Sequence, residues 1–156
     1  MFWSITGGKA LENNKLQIIS VNAKVDKINY DSAFIPEQKS IEEGYPMDIQ
    51  QTVEVISCDY EKISVKIERA LTLNKNDNPF IRASMIGDFF LDKTTKNNFK
   101  DSDEMLEYAK KRAGFLIDKI ELGAFLSQLI ANITGTFGNA PIILPPVLSD
   151  NKESNQ

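Results

Sequence analysis

The chain has 156 residues, 42% of them hydrophobic and 26% charged, with 18 basic against 22 acidic side chains and a formal charge of −4. That length fits a single domain with its own core over residues 1–156. The negative balance argues against a nucleic-acid partner, the more so because only Arg69, Arg82 and Arg112 offer a guanidinium fork. One cysteine, Cys58, excludes an internal disulfide, and the lack of histidine removes the commonest general base and metal ligand.

Residues 1–15 read as a loosely ordered lead-in. "MFWSITGGKALENNK" has neither the basic start nor the continuous apolar run of a secretory signal, so a cytoplasmic location is expected. "GGKA" at Gly7 to Ala10 lacks the first glycine of a phosphate loop and the strand that should precede it, so it carries no weight. From Leu16 to Tyr30 apolar residues alternate, but the parity changes twice. An extra residue near Ile19–Ser20 and another near Lys27 restore the pleat, which predicts a long strand with two bulges.

Residues 31–46, "DSAFIPEQKSIEEGYP", have no period and carry two prolines and a glycine. A loop longer than a hairpin needs predicts a crossover to a strand that is not the next neighbour. Ile49 to Ser57 alternates, with Gln51, Val53 and Val55 on one side. After a tight turn at Asp59–Glu61, Ile63, Val65, Ile67, Leu71 and Leu73 face one way. "NKNDNP" is a turn by composition, without the glycine and distal glutamate of a calcium loop. Ile81, Ala83, Met85, Phe89 and Leu91 then alternate along a further strand, and the last three strands form an antiparallel meander.

Asp101 with Glu104 three residues on resembles a capping box. Met105, Ala109, Arg112, Leu116 and Ile120 follow at helical spacing, and Leu122, Phe125, Leu126, Leu129, Ile130 and Ile133 continue the stripe. Gly114 and Gly123 are candidate break points, so one long helix and two shorter ones both fit. The run from Leu122 is apolar over more than half a turn, and such a helix needs apolar partners on two sides. Leu122, Phe125, Leu126, Leu129 and Ile133 are therefore the expected oligomer interface. Gly135 and Gly138 supply the helix stop. The run Leu122 to Ile133 is too short to span a bilayer, so no membrane insertion is expected.

No residue set argues for an enzyme. Cys58 has no histidine to activate it and reads as a small buried hydrophobe. No cofactor or metal is expected. The fold class is α+β: a four-stranded antiparallel sheet with a long C-terminal helix, intact or broken, packed on one face.

The order of elements and the ending "ANITGTFGNAPIILPPVL" resemble the SecB export-chaperone family, as does the strand pair "KISVKIERALTLN…NPFIRASMIGDFFL". The likeness runs from about residue 16 to 148. It implies an ATP-independent holdase for unfolded or precursor polypeptides, assembled as a dimer of dimers, with apolar grooves beside the helices. The crossover and closing segments then supply the client contacts: Phe34, Ile35, Tyr45 and Met47 in the first, Phe137, Ile142 and Leu144 in the second. The closing polar tail "SDNKESNQ", residues 149–156, is expected to be disordered and has one lysine. Export members end in a short basic tail that contacts SecA, so this departure withdraws the tail as a SecA contact and leaves SecA a partner only of the export role. The alternative is a SecB-like protein dedicated to one partner, such as an antitoxin or a phage protein.

Overall fold

The computed structural model describes residues 2–3, 15–31, 47–72, 78–136, 141–146 and 148. Five strands, β1 (Phe2–Trp3), β2 (Ile18–Tyr30), β3 (Asp48–Cys58), β4 (Lys62–Thr72) and β5 (Ile81–Leu91), form one antiparallel sheet in the order β1-β2-β5-β4-β3. A short 3-10 helix, Lys93–Asn98, leads to two α-helices, α1 (Ser102–Lys119) and α2 (Leu122–Thr136). The four long strands and the helices on one face give the expected α+β class. The two-residue β1, paired with Val21 and Asn22, adds a fifth strand from within the segment read as lead-in.

The parity changes in β2 are bulges. Its register against β5 slips between Ile18 and Ser20 and again between Val25 and Lys27. Each extra residue returns the following apolar side chains to the helix-covered face, because a one-residue slip would otherwise send them to the other side. β2 lies beside β5 rather than β3, as expected of a chain that crosses over between them.

On the helix-covered face β4 contributes Ile63, Val65, Ile67 and Leu71, and β5 contributes Ile81, Ala83, Met85 and Phe89, all buried. The helices close this layer with Met105, Ala109, Ala113, Leu116 and Ile117 from α1 and Leu122, Leu126 and Ile130 from α2. The other face buries Ser64, Ser84, Ile86 and Asp88 along the central strands and carries charge pairs. Lys24 lies 3.2 Å from Asp88, Lys66 3.4 Å from Glu54 and Arg82 2.5 Å from Glu68.

Asp101 caps α1 by accepting from the Glu104 N–H at 2.8 Å. Glu104 in turn accepts from the Lys100 N–H at 2.7 Å, one residue earlier than in a standard capping box. The helical run breaks at Ile120–Glu121 and not at either glycine. Glu121 takes a left-handed φ of 55°, and its carbonyl accepts from the N–H groups of Ala124 and Phe125 to start α2. The break sets the Ile120 side chain over Gly87, where a Cβ would come within 3.1 Å of Ile120 Cδ1. Gly114 lies inside α1 facing open space. Gly123 lies inside α2 where the Pro146 carbonyl approaches its backbone. Gly135 also falls within α2, which runs on to Thr136; Gly138 lies outside the described residues.

Candidate functional site

Among the described residues, one arrangement presents a recessed apolar surface and another grips an extended chain. The first is an open groove of about 720 Å³ at one end of the sheet, lined by Ile19, Tyr60, Phe90 and Leu91 with Glu61, Asp92, Lys93 and Lys96. Ile19 is 56% exposed, Phe90 37% and Tyr60 36%. Each is held out by its local backbone. Ile19 is the unpaired residue of the first β2 bulge, so it leaves the alternation that buries its neighbours. Tyr60 sits in the β3–β4 turn, fixed by the Asp59 carboxylate accepting from the N–H groups of Glu61 and Lys62, both at 2.8 Å. Phe90 pairs with Ser20 and Lys62 on the face away from the helices.

Asp92 closes the groove by capping the 3-10 helix, accepting from the Thr94 N–H at 2.9 Å. The hydrogen bonds from Thr94 hold its carboxyl below the usual range. The result is an apolar floor with mixed charges at its rim. The sequence reading missed it because its exposure comes from a bulge and a turn rather than from any periodic pattern. The parity change at Ile19 and the place of Phe90 on the outward side of its strand were the available signals.

The second arrangement concerns the closing segment. Residues 141–146 run antiparallel to α2 in extended form. At one end the Ile142 N–H donates to Thr134 Oγ1 at 2.9 Å. At the other, Arg69 donates to Pro145 O at 3.0 Å and Pro146 O at 2.9 Å. Arg69 is fully buried in β4, on the apolar face between Ile67 and Leu71. It also donates to Gln51 Oε1 at 2.9 Å and to the Ser127 hydroxyl. Burial lowers its pKa from the ordinary arginine value. Gly123 permits the approach, since a Cβ there would stand 2.5 Å from Pro146 O. Alternation alone placed a residue at position 69 on the inner face, but nothing in the sequence said what an arginine there would hold.

This segment meets α2 along Ser127 and Thr134, beside its apolar stripe. Leu122, Leu126 and Ile130 face the sheet and are fully buried within one chain, while Ser127 and Thr134 meet the closing segment. Of the residues expected at an oligomer interface, Leu122 and Leu126 are thus core. Phe125 and Leu129 are half-buried against that core, and Ile133 is half-buried. Of the expected client contacts, Leu144 is turned inward at 7% exposure, Ile142 is half-buried and Met47 is half-buried at the start of β3. Their neighbour Ile143 is 76% exposed. Phe34, Ile35, Tyr45 and Phe137 lie outside the described residues. A further exposed strip lies on β2, where Val25 (48%) and Ile28 (40%) point to the helix side but neither helix packs substantially on that strand.

Cys58 is half-buried. Burial first, and the Asp59 charge second, push its thiol pKa up, which disfavours the thiolate. Among the described residues no group of three acidic, cysteine or histidine side chains is placed to hold a metal, and no helix is long and apolar enough to cross a membrane.

This is an α+β protein, an antiparallel sheet covered on one face by two helices, with an apolar groove at the sheet end and an extended segment clamped along α2. No protein-family model and no curated protein matches the chain. Among solved structures it is similar to a Mycobacterium tuberculosis SecB-like chaperone in complex with a peptide from an antitoxin. That likeness has 15% identity, covers 85% of this chain and 87% of that one, and has a TM-score of 0.48. It is also similar to a protein of unknown function from Streptococcus agalactiae at 14% identity, 80% and 96% coverage and a TM-score of 0.31.

Proposed function

We propose that this protein is an ATP-independent holdase that binds unfolded or precursor polypeptides as a homo-oligomer. The observation that carries this reading is the open groove of Ile19, Tyr60 and Phe90, an exposed apolar floor with a charged rim. Contiguous apolar surface of this kind marks an interaction site, and a recessed one limits self-association. The negative net charge keeps such a surface soluble.

Magnitude supports assembly. Each of the three side chains is already partly covered, so a client gains only about 1 kcal/mol from each, less than the roughly 1.5–3 kcal/mol of full burial. About 3 kcal/mol is weaker than millimolar binding. Useful affinity then needs several grooves acting on one chain, which an oligomer such as a dimer of dimers provides. The Val25–Ile28 strip on β2, with Phe125, Leu129 and Ile133 on α2, offers apolar surface for contacts between copies.

The test is to dilute a slow-folding client from denaturant into buffer containing the protein and no nucleotide. Suppressed aggregation by the wild type, and loss of it in Ile19→Asp and Phe90→Asp variants that keep the wild-type circular dichroism and light-scattering mass, is the expected result. Failure to protect any of several clients, together with tight binding of one partner encoded beside it, would instead identify a protein dedicated to that partner. A wild type that is monomeric at micromolar concentration would remove the assembly. The export role, with SecA as partner, is tested separately by pull-down with purified SecA.

A further inference from the structure

Residues 141–146 are bound to α2 by features that do not depend on their being joined to it. The fork of Arg69 donates to two successive carbonyls, Pro145 O and Pro146 O. The Ser127 hydroxyl lies 3.0 Å from the first of these and 2.9 Å from Gly123 O, with one proton to share. Every residue of any polypeptide offers a carbonyl, so this grip reads chain conformation and not side-chain identity.

Leu144 is the only side chain of the segment that is buried, at 7% exposure, whereas Ile143 beside it is 76% exposed. Pro141, Pro145 and Pro146 have no N–H, so they cannot join a strand ladder, and the N–H of Ile142 is donated to a side-chain oxygen. A cleft of about 280 Å³ remains beside the segment, lined by Ala124, Gln128, Ala131 and Ile143 among others. The segment is therefore held at a few points by a site built for an extended chain.

We propose that this groove is a binding site for extended polypeptide segments that carry an apolar residue directly before two accessible carbonyls, and that the chain's own residues 141–146 are a displaceable occupant. The client half of the proposal rests on the holdase reading; the groove itself does not. An unfolded chain satisfies the recognition rule wherever an apolar residue lies in an extended stretch. The tethered segment competes at a high local concentration, so the site is covered when no client is present and self-association through it is suppressed.

The full chain tests this. In a Cys58→Ser background, Gln128→Cys and Ile143→Cys place thiols on opposite sides of the cleft, where a short bismaleimide cleavable by dithiothreitol ties the segment to α2. Two probes are used: a labelled, permanently unfolded client, and a synthetic peptide with the sequence of residues 141–146, PIILPP. The peptide is added at about millimolar concentration, to match the tether, and is read by saturation-transfer NMR. The uncrosslinked protein is expected to bind both. Crosslinking should weaken client binding by about tenfold and abolish the peptide signal, and dithiothreitol should restore both. Hydrogen exchange at Ile142 to Leu144 should speed up when client saturates the open protein. Equal client affinity with and without the crosslink, or no peptide binding to the open protein, overturns the proposal. Peptide binding without client binding retains the groove and removes the holdase reading instead.

Discussion

Gly123→Ala sets helix propensity against tertiary contact, and the two make opposite predictions. In a helix interior alanine is favoured over glycine by about 0.8–1 kcal/mol. At position 123, however, the new Cβ would lie 2.5 Å from Pro146 O and 3.3 Å from Arg69 Nη2. The obstacle is a backbone carbonyl between a proline and the rest of the chain, so it must retreat by roughly an ångström to reach ordinary contact distance. Retreat breaks the 2.9 Å hydrogen bond from Arg69, and one such bond from a charged donor contributes about 1.5–3 kcal/mol. The net effect is a loss of about 1–2 kcal/mol, a fall in Tm of about 2–8 °C for a chain of this size. Gly114→Ala in α1 is the control. Nothing lies within 4 Å of its Cβ, so only propensity acts and Tm should rise by about 2–4 °C. Thermal melts followed by far-UV circular dichroism give both signs. If both variants gain stability alike, the clamp on residues 145–146 does not constrain α2 and the reasoning fails.

The sheet face away from the helices carries a pH-dependent contribution at Asp88. Burial pushes its carboxyl up, but hydrogen bonds from Ser64 and Lys24 and the charges of Lys24 and Lys62 outweigh this, so its pKa lies below the ordinary value of 3.8. A depressed folded-state pKa stabilises above the unfolded value and is lost as pH falls through the folded one. Urea midpoints should therefore separate wild type from Asp88→Asn near neutrality and converge at pH below about 4, and a gap that widens with acid would refute the assignment. Asp101→Ala removes the α1 cap and should cost about 1 kcal/mol, with faster hydrogen exchange at the Glu104 amide; an unchanged amide would show that the cap contributes nothing.

Alternation and helical spacing made the sheet, the helices and both β2 bulges legible, because period-2 and period-3.6 burial are imposed locally by the backbone and leave a mark on every turn of sequence. The crossover was legible too, since a loop too long for a hairpin implies a non-neighbouring strand. What the sequence could not reveal was which of its apolar surfaces is satisfied within the chain. From the sequence, the excess apolar face of α2 reads as a contact with another copy. Only the tertiary structure shows Leu122 and Leu126 against the sheet and the closing segment beside Ser127 and Thr134. The same holds for Arg69, whose role lies in carbonyls 76 and 77 residues away. Likewise, the break falls at Ile120–Glu121 rather than at either glycine, and it brings Ile120 over Gly87 on β5. Local pattern determines which elements form and which faces are apolar; partners distant along the chain are decided by packing, since burial energy depends on what is adjacent in space and carries no record of sequence separation.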